Sequence, residues 1–276
     1  MMSIDFATKE KYLKLLGLNP LHGAASYEYL RELVNVHLHR IPFENVSKLY
    51  YYRHRSKSGL EWMPDMATYL DNLSARGWGG NCYILNTHFG QLLRSLGFHV
   101  ELVRAIGGNT HLALKVTVEG HPFYVDVGYG APLFEPLSLA EQLHFVRCGE
   151  EVEIVREGDG RYRIDRRANG QSFVTKVIEW NPVSLDSFDD RITDSLRDED
   201  DNPFMRRIVA TLFKRDAAYS AINNKLFIKS NKTTEVHEYT DRIEWQEMMK
   251  RTFGFASGDL DQAVDFLGAR GIRLFP

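Results

Sequence analysis

Trp78-Gly79-Gly80-Asn81-Cys82-Tyr83, continued by Ile84-Leu85-Asn86-Thr87-His88-Phe89-Gly90-Gln91-Leu92-Leu93, is the stretch on which the reading of this chain turns. Two glycines let the backbone bend sharply before the thiol, and the largely apolar run after it predicts a buried helix. Cys82 then stands at a helix N-terminus, where the positive end of the helix dipole favours thiolate. Thiolate is the attacking form, so Cys82 is a candidate nucleophile. The plainer role of a free cysteine is a small apolar core residue. Cys148, the only other cysteine, sits beside Gly149 and a charged run, with no chemical context of its own.

A cysteine nucleophile needs a base, and the base needs an orienting group. His111 opens His111-Leu112-Ala113-Leu114-Lys115-Val116-Thr117-Val118. The alternation predicts a strand with Leu112, Leu114, Val116 and Val118 on one face and His111 and Ala113 on the other. Glu119-Gly120 makes a tight turn, and His121-Pro122-Phe123-Tyr124-Val125-Asp126-Val127 returns antiparallel. Asp126, between two valines in a strand expected to be buried, needs a partner because an unpaired buried charge is expensive. An imidazole across the hairpin is a natural one. A single histidine in a strand is more often structural, and this chain has ten. The three residues in order, each in a fitting setting, carry the reading.

That order and its flanks resemble the arylamine N-acetyltransferases. Tyr12-Leu13-Lys14-Leu15-Leu16-Gly17-Leu18, His39-Arg40-Ile41-Pro42-Phe43-Glu44-Asn45, Leu96-Gly97-Phe98, Val125-Asp126-Val127-Gly128-Tyr129-Gly130 and Asn202-Pro203-Phe204 agree with the family's pattern. The departures are Trp78 where the family has arginine, Asn81 where it has an aromatic residue, and Ile84 where it has glutamate or glutamine. Without that arginine, Glu44 is expected to take Arg76, Arg40 or water as its partner.

The chain has 276 residues, 43% of them hydrophobic and 26% charged, with a net charge of −3. Those values describe an ordinary globular protein and argue against a nucleic-acid binder, which needs a basic face. The basic runs Arg161–Arg167 and Lys225–Lys232 read as solvated strand faces. No apolar stretch approaches the roughly 18 residues of a membrane span, and Met1–Glu10 lacks the apolar core of a signal peptide. Two cysteines in unlike settings fit a reducing cytoplasm, and no metal-ligand spacing is present.

The expected fold class is α+β with a cysteine-protease-like triad arrangement. Residues 1–99 are read as a helical domain carrying the nucleophile, and residues 100–182 as an antiparallel β-barrel-like domain carrying the histidine and aspartate. Residues 183–276 are read as a connecting segment and an α/β lid. Strands are predicted at Val100–Ala105, Leu112–Val118, Phe123–Val127, Val152–Arg156, Tyr162–Asp165 and Phe173–Trp180, then Ser220–Ile222 and Lys225–Ile228. Residues 52–62 read as a polar surface loop, and helices are expected from about Trp245 and Gly258.

The resemblance implies acetyl transfer from acetyl-CoA to an aromatic amine or hydrazine. Cys82, His111 and Asp126 are then catalytic, Phe43, Tyr129 and Phe204 wall the amine pocket, and Gly107, Gly108 and Thr110 approach the acetyl-CoA arm. No metal, nucleic acid or membrane partner is implied. Three other readings compete: an amide synthase-like acyltransferase with another acyl donor, a cysteine hydrolase or transglutaminase-like protein, and a binding homologue without turnover.

Overall fold

Capping residues set the limits of the first helices. The Asp5 carboxylate accepts from the Thr8 amide to start α1 (Phe6–Leu15), and the Ser26 hydroxyl accepts from Tyr29 to start α2 (Tyr27–Arg40). The computed structural model describes residues 4–19 and 24–276, so Met1–Ser3 of the segment read for a leader lie outside it. Tyr29, Leu30, Leu33, Val34 and Leu38 are buried, as their spacing predicts. A short β1 (Phe43–Glu44) and helices α3 (Val46–His54), α4 (Gly59–Trp62), α5 (Met66–Arg76) and α6 (Cys82–Ser95) follow. The expected loop at 52–62 is mostly helical instead. Trp62 is fully buried with its ring edge-on to Tyr51, and Arg55 lies over the same tyrosine. A few inward anchors hold that segment, while its outward charges dominate its composition.

Seven antiparallel strands come next: β2 (His99–Ile106), β3 (His111–Val118), β4 (His121–Val125), β5 (Leu143–Arg147), β6 (Glu150–Gly158), β7 (Arg161–Ala168) and β8 (Gln171–Val183). They form one sheet in the order β4-β3-β2-β8-β7-β6-β5. Register shifts mark β2–β8, β6–β7 and β7–β8, the irregularities by which a sheet bends. β5 was not expected from sequence, and none of its residues is buried.

The last part holds a 3₁₀ turn (Leu185–Phe188), α7 (Asp189–Ser195), α8 (Pro203–Arg206), strands β9 (Val209–Lys214), β10 (Ala217–Ile222), β11 (Lys225–Lys229) and β12 (Thr234–Glu238), and helices α9 (Arg242–Phe253) and α10 (Ser257–Gly268). The second sheet has the order β1-β9-β10-β11-β12. Its edge therefore comes from the N-terminal helical segment, with Phe43 opposite Thr211 and Glu44 opposite Ala210. Phe43 also bridges Gly80 in parallel, which ties the turn before Cys82 to this sheet.

One large core joins the helices to both sheets. A smaller core, with Val103, Ala113, Tyr124, Ile164 and Ile178, covers the other face of the seven-stranded sheet. No helix among the described residues is long and apolar enough to cross a membrane.

Candidate active site

Cys82 is the first residue of α6, and Asn81 is its cap. The Asn81 side-chain oxygen accepts from the amides of Tyr83 (3.1 Å) and Ile84 (3.2 Å). Asparagine is among the preferred residues at that position, so this departure from the family pattern has a local physical role. Gly128 presses on the nucleophile from the other side. A Cβ there would stand 2.7 Å from Cys82 Cα, so only glycine lets the loop after β4 approach this closely.

The hairpin register pairs Leu114 with Val125, which carries Asp126 just past the end of β4 and beside His111. His111 Nε2 lies 2.6 Å from Asp126 Oδ2, leaving Nδ1 as the ring nitrogen for Cys82. Three more donors reach the same buried carboxylate: Tyr124 Oη (2.8 Å), Asn86 Nδ2 (2.8 Å) and the Gly128 amide (3.0 Å). Asn86, one helical turn after Cys82, also donates to Leu112 O and accepts from the Val127 amide. It thus links the helix of the thiol to the strand of the imidazole and the loop of the carboxylate. The sequence reading passed over both Asn86 and Tyr124. The signal for Asn86 was a polar residue four positions from Cys82, between the fully buried Leu85 and Phe89.

The electrostatics follow from these contacts. Burial pushes the partly buried Cys82 thiol up, but the charge of His111, its hydrogen bond and a backbone bond at Leu112 outweigh it, leaving the thiol below its ordinary value. Burial pushes His111 down, yet the charges of Asp126 and Cys82 lift it to about 9. Burial would raise Asp126, and His111, Asn86 and Tyr124 together hold it below the usual carboxylate value. The arrangement favours a thiolate–imidazolium pair. Cys148 has no such surroundings, and burial raises its thiol to about 11.

Cys82 and His111 open onto a cavity of about 600 Å³. Phe43, Tyr129 and Phe204 line it, as do Gly107, Gly108 and Thr110, while Asp126 stays behind His111. Phe43 and Phe204 meet edge to face at 6.1 Å, and Tyr129 lies 4.9 Å from the His111 ring. Lys176 Nζ donates to Gly107 O and Asn109 O, and Tyr83 Oη to Thr110 O, fixing the glycine turn. The basic run on β7 is not wholly a solvated face. Arg166 is buried, pairs with Glu150, and donates to Tyr129 O and Gly130 O. Strand alternation puts that arginine on the same face as the buried Ile164, while Arg163 and Arg167, on the other face, are half-buried and reach Asp165 and Glu153. Lys48, on α3, also lines the cavity and was not singled out from sequence.

Glu44 does not take the arginine partners expected of it. Arg76 pairs with Asp259 and stacks over Tyr50 and Trp78, and the Arg40 guanidinium packs on Gly17. The Glu44 carboxylate caps α3 instead, accepting from the Ser47 amide (2.9 Å) and hydroxyl (2.6 Å). Trp78 is a buried ring packed against Tyr50, Tyr51 and the Arg76 guanidinium.

A family model described as N-acetyltransferase matches residues 26–259. The chain is 26% identical over 270 residues to Proansamycin X synthase of Amycolatopsis mediterranei (strain S699), covering 91% of this chain and 97% of that one. In fold it matches the arylamine N-acetyltransferase of Salmonella typhimurium with a TM-score of 0.79 at 20% identity, over 96% of this chain and 100% of that one. It also matches the Mycobacterium marinum arylamine N-acetyltransferase in complex with CoA, with a TM-score of 0.76 at 22% identity, over 93% and 98% of the two chains.

Proposed function

The chain belongs to the arylamine N-acetyltransferase family of acyltransferases, and from that premise we propose that it transfers an acetyl group from acetyl-CoA to the nitrogen of an arylamine or arylhydrazine by way of an acetyl-Cys82 intermediate. The observation that carries this reading is the Cys82 thiol at a helix N-terminus, beside a histidine whose far nitrogen is held at 2.6 Å by a buried aspartate, on the wall of a cavity.

Cys82 thiolate attacks the thioester carbonyl, and the CoA thiolate departs with the proton of the His111 imidazolium. The neutral imidazole then removes a proton from the incoming amine as its nitrogen attacks the acyl carbon, and Cys82 leaves as thiolate. Asp126 holds one tautomer and stabilises the imidazolium. Splitting the transfer in two is the advantage of a covalent nucleophile, and the aromatic walls Phe43, Tyr129 and Phe204 limit the water that would hydrolyse the acyl-enzyme. In initial-rate measurements with acetyl-CoA and an aniline or hydrazine, CoA release that depends on the amine, with parallel double-reciprocal lines, is expected. Equal release without amine would replace transfer by hydrolysis.

A second reading keeps the chemistry and changes the donor. It is favoured by likeness to a relative named as a synthase along 97% of its length, and by a cavity larger than an acetyl group needs. Acylation of Cys82 by a longer acyl thioester but not by acetyl-CoA would select it.

A further inference from the structure

Among the described residues, the cavity wall carries Lys48, Arg166, Lys176 and Arg207 and no aspartate or glutamate. Glu150 neutralises Arg166 from behind. Lys176 gives its ammonium to the carbonyls of the glycine turn, and Arg207 is exposed. Lys48 is different. It is 3% exposed, reaches in from α3, and donates to the Ser195 carbonyl at 2.6 Å. Among the described residues it makes no ion pair, and its remaining contact is the Phe204 ring, 5.8 Å from Nζ. An ammonium has three donors, so one carbonyl leaves two N–H groups without a strong acceptor, and a buried charge is costly until a counter-ion meets it.

We propose that Lys48 anchors a carboxylate on the acceptor, so that the amine this site prefers is an anionic amino-aryl acid whose ring packs against Phe43 and Phe204. The inference rests on the acceptor occupying this cavity, as in the transfer reading. The charge on Cys82 gives it a direction in time. Burial draws Lys48 down to about 8, and the thiolate opposes that. Acylation of Cys82 removes the negative charge that supports the Lys48 ammonium just before the acceptor must bind, so a carboxylate on the acceptor takes over as its counter-charge.

The test is calorimetric titration of the full chain, without acyl donor, with 4-aminobenzoate and with its neutral isostere 4-aminobenzamide. The protein is used as it stands and as Cys82→Ala, which mimics loss of the thiolate charge. In Cys82→Ala the acid is expected to bind roughly tenfold to a hundredfold tighter than the amide, the range of one charge-assisted contact. Adding Lys48→Met is expected to bring the ratio to about one, and Lys48→Arg to keep part of the preference. A ratio of one or below in Cys82→Ala overturns the proposal, as does a preference that survives Lys48→Met. Weaker CoA binding in Lys48→Met with the acid preference intact assigns the lysine to the donor and overturns it too. If Lys48→Met does not fold, the ratio in Cys82→Ala and its change in Lys48→Arg decide. Because no acyl donor is present, failure of acyl transfer leaves this result standing, and loss of the carboxylate preference leaves the transfer reading standing.

Discussion

Asp126, after β4, and Glu44, at the end of β1, are both buried carboxyl groups, and their surroundings push them in opposite directions. Asp126 receives four donors, one of them an imidazole that becomes cationic, and is held below its ordinary value. Burial pushes Glu44 up to about 7, and the uncharged donors around it, the Ser47 hydroxyl and the amides of Ser47, Val46 and Gly80, do not offset that. Burial alone raises a carboxyl; the cationic imidazole among the donors of Asp126, which Glu44 lacks, keeps it ionised. The hairpin region is built to keep a charge, whereas the β1–α3 junction, which has Trp78 in place of the family's arginine, keeps a carboxyl group close to neutral.

Isosteric amides at the two sites should therefore behave in contrary ways. Asp126→Asn is expected to cut kcat/KM for acetyl transfer by roughly 10³–10⁴-fold, because the amide no longer fixes the tautomer or stabilises the imidazolium. The pH profile should report the same change. In the parent, the thiolate–imidazolium pair persists from the lowered Cys82 value up to about 9, where His111 loses its proton. In Asp126→Asn the alkaline limb of kcat/KM for acetyl-CoA should move to lower pH, since departure of the CoA thiolate needs the His111 proton, burial pushes His111 down and the charge of Asp126 does most to lift it. An unshifted limb would break the comparison on the hairpin side.

Asn86→Ala removes a donor to Asp126 and leaves Leu112 O and the Val127 amide without their partner. About 2–3 kcal/mol of stability should be lost, visible as a lower denaturation midpoint, along with part of the activity. A loss of stability alone would mean that the asparagine does not position the triad.

Glu44→Gln should instead stabilise, and only at higher pH. The folded value of about 7 lies above the ordinary 4.5. The group therefore costs nothing below about 4.5, costs progressively more up to about 7, and carries its full cost above that. The gap in unfolding free energy between variant and parent should open across that window and reach on the order of 3 kcal/mol at pH 8, read as a rising difference in Tm. A gap independent of pH would remove the contrast with Asp126. The smallest effect is expected from Asn81→Ala, which loses the cap of α6 at a cost of about 1 kcal/mol in stability.

Local chemistry explains how much was legible in the sequence. Cys82, His111 and Asp126 each sit in a segment whose pattern announces its element: a glycine turn before an apolar helix, an alternating strand, and a return strand after a two-residue turn. The partners that tune them come from elsewhere. Glu150 and Arg166 meet across β6 and β7, and Lys48 reaches Ser195 from a distant helix. No spacing rule finds such pairs. β1 is only two residues long and gains its identity from β9, far along the chain. The partner of Glu44 was misjudged for a related reason. Nearby arginines suggested ion pairs, but Asp259 and the aromatic faces of Tyr50 and Trp78 hold Arg76, and Ser47 is closer in sequence and better placed.

The central claim is that Cys82 accepts the acyl group. Intact mass spectrometry after mixing the protein with acetyl-CoA and no amine, alongside Cys82→Ala, tests it most directly. The account predicts a gain of one acetyl group in the parent and none in the variant. An unmodified parent that releases no CoA, or an adduct that persists in Cys82→Ala, would contradict it.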